Sequence, residues 1–438
     1  MLRNRTIAFL AGCVALTACT EPATDDPTGP TLGPAEDGVR PAAVRYVQTR
    51  LSDQLGAATA INSKGQVLAY AFINGDIRSF IWENGTRRFL GSLGGGSTAA
   101  FALNEAGQVA GVSNTADGKR RAFLWQNGTM RNLGTLGGAE ASIAFGIDGS
   151  GRVVGYTQKT GGPILAFIWE SGTMRRLPGL ERGYSTARDI DNMGRVVGEY
   201  GSVESPRAYR WMAGRVTDLG TLGGATASAA ALGPDGRIVG QAATATGALR
   251  GFIWHNGVMT GLGTLAGGTS GAQGISGLVH IVGLSQAPEA TFPSVYLWKD
   301  GVKTSVGLGV GYAVNRDGWV VGESRLLGNY AALWRPTTEP PPPPGKITVG
   351  TSYFLSDRNS SINPAVDTVP VGSKVTWTWA SGKAVLHNVQ SVGTPSFPSS
   401  ALMGGVGTTY SVTFSKAGTY SYNCKAHSVK MKGRVVVK

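Results

Sequence analysis

Beyond its first residues, no stretch of this 438-residue chain approaches the roughly 18 apolar positions that a membrane-spanning helix needs. Nor does any long stretch keep a 3.6-residue apolar period, which argues against a helical fold. Charged side chains are sparse at 15%, and there are only four histidines and three cysteines. His255 and His280 stand alone without a paired acid or nucleophile, so they read as surface or strand residues rather than bases. The turns at 147–151, 190–194 and 233–237 lack the alternating acidic ligands and distal Glu of a calcium loop. They read as hairpin turns. Net charge is +13, yet the basic residues do not interleave with stacking aromatics. Nucleic acid is therefore not an expected partner.

What the chain does have is glycine, 66 residues of it, with Val, Ile, Thr and Trp in short runs. That is the pattern of an all-β protein. At the start, Arg3 and Arg5 precede an apolar run of signal-peptide length that ends in Leu16-Thr17-Ala18-Cys19. This ending resembles a bacterial lipobox. The resemblance implies a signal peptide over 1–18, cleavage before Cys19 and lipidation of its sulfur. Residues 19–41 are rich in Pro, Asp and Thr and read as a disordered tether. The expected location is the cell envelope, with membrane attachment through lipid alone. Thr20 is not the Asp associated with inner-membrane retention, which favours the outer membrane, facing the periplasm or the cell surface. Cys13 would leave with the signal peptide, so Cys424 is the one free thiol of the mature chain. An unpaired thiol in an exported protein calls for a reason, and metal ligation is one.

Residues 42–335 repeat. The motif "GQVAG" at 107 has counterparts at 65, 151, 194, 236, 279 and 318, spaced by 42, 44, 43, 42, 43 and 39 residues. The sixth copy carries Val279 where the others have the turn glycine. "LGTLGG" recurs at 133 and 219, and Trp82, Trp125, Trp169, Trp211, Trp254, Trp298 and Trp334 hold one equivalent position. Each unit offers about four short strands, the size of a β-propeller blade, and seven units predict a closed seven-bladed ring. A β-solenoid is the alternative. The strand at 43–51 belongs either to the first unit or to the last, and the tryptophans either fill the space between blades or pack under a hairpin. The units resemble the extracellular HAF repeat family, along "AFLWxxGxMxxLGTLGG" and "INxxGxVVG"; the family implies a place outside the cytoplasm and little about activity.

Five consecutive prolines, Pro340 to Pro344, mark a semi-rigid linker at 336–345. After it, 346–438 alternates apolar and polar residues in "KVTWTW" and "YSVTF", the pattern of a small β-sandwich. Ten Lys and Arg against Asp357 and Asp367 give this domain a net charge of +8. His387 is expected to end one strand and Cys424 another, with His427 and Met431 in the loop that follows. Two imidazoles, a thiolate and a distant thioether are the ligand set of a blue-copper centre. The "VPVGSKVTWTW" strand, "HNV", "FSKAGTYSYNC" and C-x2-H-x3-M resemble the plastocyanin- or amicyanin-type cupredoxins. That resemblance implies a Greek-key sandwich holding one type 1 copper through His387, Cys424, His427 and Met431. Asn388 would tie the ligand segments together. It also implies an electron carrier rather than an enzyme, with an acidic or anionic redox partner docking near Lys425, Lys430 and Lys432. Copper buffering without a redox partner and a structural or adhesive repeat protein are the competing functions.

Overall fold

The computed structural model describes residues 44–180, 183–326, 328–337, 345–350, 353–357, 364–380, 386–427 and 431–438. The expected signal peptide, the tether with Cys19 and residues 338–344 of the linker lie outside them. Apart from one 3-10 turn at Lys425–His427, every regular element among the described residues is a β-strand. No described helix is long and apolar enough to cross a membrane.

Residues 45–337 form seven four-stranded antiparallel blades. In the second blade the strands Gly94–Leu103, Val109–Thr115, Arg120–Gln126 and Thr129–Asn132 pair in chain order from the centre outward. The segment before "LGTLGG" is thus the outermost strand of its own repeat. Inner strands of consecutive blades pack against one another all the way round. Two long strands each serve two blades. Val302–Val314 is the outer strand of the sixth and the inner strand of the seventh. Arg45–Ile61 pairs with Tyr330–Thr337 through its first half and with Val67–Ile73 through its second. The segment at 43–51 therefore closes the ring by completing the last blade. A solenoid would leave both ends open, so the fold is the propeller. The closing strand Tyr330–Thr337 runs two residues into the stretch read as linker.

The repeated motif answers to packing. In "GRVVG" the first glycine turns the hairpin at positive φ, +78° at Gly194, and both valines are fully buried. The second glycine lies under the inner strand: a Cβ at Gly198 would come 2.0 Å from the carbonyl oxygen of Thr186. The tryptophans fill the space between blades. Trp125 packs with Leu68, Ile81 and Leu90 of the preceding blade, and the Arg88 guanidinium lies 4.9 Å from its ring centroid. Blade-to-blade hydrogen bonds run along the rim of turns. Asn104 Nδ2 donates to the carbonyl of Asp148 at 2.8 Å, and Arg195 to that of Pro234 at 3.0 Å. The Asp148 carboxylate accepts from the N–H groups of Ser150 and Arg152 and from the Arg152 side chain. Turn hydrogen bonds are what the acidic residues of these loops make.

Each inner strand carries a β-bulge at one equivalent position, at Thr59, Phe101, Phe145, Arg188, Ala230, Gln273 and Tyr312. A bulge re-aims its side chain, and all seven line a central cavity.

The C-terminal domain is a sandwich of two four-stranded sheets. One runs Phe354–Ser356, Lys346–Val349, Ser373–Trp379, Thr409–Phe414; the other Ala365–Val369, Lys432–Val437, Gly418–Asn423, Gln390–Val392. Each sheet contains one parallel pair, with Ile347 opposite Trp377 and Ala365 opposite Gly433, so the sheets are mixed. Between them lies an aromatic core in which Trp377 meets Tyr422 edge-on, ring centroids 5.2 Å apart.

Candidate metal centre

Along Gly418–Asn423, Tyr420 and Tyr422 face the core, and the same alternation buries Cys424 completely at the strand's end. A single 3-10 turn follows, with the His427 N–H donating to the carbonyl of Cys424 at 2.9 Å. The chain returns at Met431, whose N–H donates to the His427 carbonyl at 2.8 Å. The Cys424 N–H donates to the Met431 carbonyl at 3.2 Å, so the base of the loop is clasped shut. Met431 is fully buried in the same core cluster as Cys424. Residues 428–430, Lys430 among them, lie outside the described residues.

His387 does not end a strand as the sequence predicted. It forms an isolated bridge with Met403, with backbone hydrogen bonds of 2.8 and 2.7 Å in the two directions. The cause is the segment 400–403: the Val389 N–H turns to the Ser400 hydroxyl at 2.9 Å, and regular pairing begins only at Gln390, opposite Asn423. That pairing brings His387 alongside Cys424. No sequence signal marked Met403 as its neighbour, because the bridge is a tertiary contact between two irregular segments.

The Cys424 Sγ lies 3.7 Å from Nδ1 of His387 and 3.7 Å from Nδ1 of His427. All three donor atoms fall within 4.8 Å of one another, and the two imidazoles are 5.0 Å apart at their centroids. Separations of 3.7 Å are long for hydrogen bonds. They have the length of an edge between two ligands of one ion bound at about 2.0–2.3 Å. Burial, and then the neighbouring His427, push the His387 imidazole below its ordinary pKa, which keeps it in the neutral form that ligates metals. Its Nε2 is buried with no hydrogen-bond partner among the described residues. Without an ion this ring would contact only the thiol through Nδ1 and leave Nε2 unpaired among the described residues, a costly arrangement for a buried imidazole. The donor set thus fits a bound metal ion, and thiolate with imidazole is a set that suits copper.

Around these three, Asn388 is buried and its Oδ1 accepts the Lys425 N–H at 2.8 Å, joining the His387 segment to the Cys424 loop. His387 is enclosed, His427 is half-buried, Lys425 is exposed in the same turn, and Lys432, next to Met431 in sequence, is exposed opposite Asn423. His255 and His280 remain in the propeller, apart from this cluster: His255 ends the strand Leu249–His255, and His280 is buried beside a turn.

Residues 360–438 match copper binding proteins of the plastocyanin/azurin family. The C-terminal domain is a plastocyanin/azurin-family copper-binding domain. Among solved structures, a novel purple cupredoxin from Nitrosopumilus maritimus is 24% identical, covering 22% of this chain and 99% of its own, with a TM-score of 0.18. An amicyanin mutant in its oxidised state is 33% identical over 22% of this chain and 83% of its own, with a TM-score of 0.17. TolB from Acinetobacter baumannii is 12% identical over 68% of this chain and 64% of its own, with a TM-score of 0.39.

Proposed function

We propose that the chain is an exported, lipid-anchored electron carrier and not an enzyme, with lipid on Cys19 and one type 1 copper in the C-terminal domain. His387, Cys424 and His427 would hold the ion, and Met431 would supply a weak fourth donor. The observation that carries this reading is the convergence of a buried thiol and two imidazole Nδ1 atoms within 4.8 Å. Copper supplies a one-electron couple when bound. The protein's role is to keep the donors fixed between the sheets and to exclude water from all but one edge. Backbone hydrogen bonds at both ends of the loop and the Asn388 link do the first; burial of Cys424, His387 and Met431 does the second.

His427 is the ligand nearest solvent, so electrons would enter and leave there. Lys425 and Lys432 make that edge positive, which suits an acidic or anionic redox partner and an association rate that falls as salt rises. The propeller would act as a docking scaffold in the outer envelope, in keeping with its HAF-like repeats. The deciding experiment adds Cu(II) to the full chain and records visible and EPR spectra beside Cys424→Ser. An intense thiolate-to-copper band with narrow hyperfine splitting, absent from the variant, is expected. A colourless product would overturn the reading.

A further inference from the structure

The seven repeats are nearly uniform around each bulge and disagree at it. The residue before the bulge is Ala in six blades and Gly in the seventh, and the residue two beyond it is Ile, Leu or Val in every blade. The bulge itself runs through Thr, Phe, Phe, Arg, Ala, Gln and Tyr. Packing of blades imposes the constant positions. The variable ones face a shared cavity of about 180 Å³, where closing the ring demands nothing of their identity.

These residues sort by chemistry around the cavity. On one side Phe101 and Phe145 lie 5.2 Å apart, Tyr156 continues the row at 5.7 Å, and the Arg188 guanidinium stands 4.7 Å over the Phe145 ring. Arg188 is already neutralised: it donates to Glu199 at 2.9 Å, and the hydroxyl of Tyr184 donates to the same carboxylate oxygen at 2.7 Å. Burial works to raise the Glu199 pKa, and Arg188 with these hydrogen bonds overcomes it, so the carboxylate stays charged. From the fifth and sixth blades, Gln241 and Gln273 reach the cavity with side-chain amides that bond to no other described residue.

This composition selects a ligand class. An anion would meet a guanidinium whose charge is already matched, and a cation would find no unpaired carboxylate. A wholly apolar molecule would strip water from two free amides without replacing their hydrogen bonds. A sugar ring has an apolar C–H face for the aromatic row and hydroxyls for the amides. The cavity is smaller than the roughly 300–1,000 Å³ of drug-sized pockets, which suits a single ring or the end of a chain. We propose that the central cavity of the propeller binds one neutral pyranose unit of a saccharide, stacked on Phe101 and Phe145 and hydrogen-bonded to Gln241 and Gln273. The proposal is independent of the metal centre.

The test uses the full chain and the methyl glycosides of glucose, galactose, mannose and N-acetylglucosamine, with methyl sialoside as the anionic counterpart. Saturation-transfer NMR and titration calorimetry report binding. At least one neutral glycoside is expected to bind, with affinity reduced about tenfold in Phe101→Ala and in Gln273→Ala, and unchanged in Cys424→Ser. Thermal unfolding checks that the variants fold; if Phe101→Ala does not, Gln273→Ala decides. Absence of binding by every neutral glycoside, equal binding by both cavity variants, or binding of the sialoside alone would overturn the proposal.

Discussion

Asn388 and Lys425 are joined by one hydrogen bond, side-chain oxygen to backbone N–H, at 2.8 Å across 37 residues of sequence. With the pairing of Gln390 opposite Asn423, it holds the segment of His387 against the loop of Cys424 and His427. Replacing Asn388 by Ala should therefore loosen the centre without unfolding the sandwich, whose aromatic core it does not touch. Copper affinity is expected to fall about 10- to 100-fold, as when partners behind metal ligands are lost elsewhere. Asn388→Asp, which keeps an acceptor oxygen, should fall less. Competition with a chelator measures both, and equal affinity in Asn388→Ala and the parent would show the link to be unimportant.

Met431 sits fully buried, so Met431→Leu preserves volume and should cost under about 1.5 kcal/mol of stability. Its effect belongs to the potential. A weak thioether donor favours the oxidised ion, and its loss should raise the reduction potential. Voltammetry on the copper-loaded protein checks this; an unmoved potential would mean that Met431 is packing alone.

Val279 occupies a turn at φ +56°, where the equivalent positions in the other six blades carry glycine. A β-branched residue in the left-handed region is strained by about 1–2 kcal/mol. Val279→Gly is expected to stabilise the propeller by roughly 1 kcal/mol, after allowing for the greater freedom of an unfolded glycine. A lower unfolding midpoint in calorimetry would contradict this.

Asp189 is half-buried in the fourth blade, and the loss of water around it pushes its pKa to about 7 against the hydrogen bonds from Leu232 and Ile190, with Asp191 adding to the rise. A folded value above the unfolded one means that the native state binds the proton more tightly. Its contribution is therefore present below about pH 4 and is lost as pH climbs to about 7. His280, whose pKa burial lowers, tilts the profile the opposite way in acid. The unfolding midpoint measured from about pH 5 to 8 should fall less steeply in Asp189→Asn than in the parent; parallel profiles would exclude Asp189 as the source.

The features of this fold that were legible in the sequence are those that packing forces to recur. A Trp between blades recurs in all seven, and two glycines per hairpin, one for the turn and one beneath a carbonyl, recur in all but the first and sixth, where Ala69 and Val279 replace one of them; their spacing marks blade number and size. Strand sharing was not legible. Arg45–Ile61 and Val302–Val314 are single strands to any local pattern, and only closure divides them between blades. In the second domain, Cys424 and His427 lie in one loop and announce themselves by spacing. His387 could be named by type and context, while its bridge to Met403 and the parallel pairing of strands depend on contacts between distant segments. The bulge positions did carry a signal, divergence amid repetition, which a search for shared motifs passes over.

Arg45 stands opposite Thr337 in the strand pair that shuts the ring. The polypeptide thus enters and leaves the propeller at one point. Tension between whatever holds the segment before Arg45 and whatever engages the domain after Thr337 would act on this pair from its end. The rungs would open in succession, as in a zipper, while the remaining blades carried no load. The clasp that closes the ring is also the place where pulling would open it first.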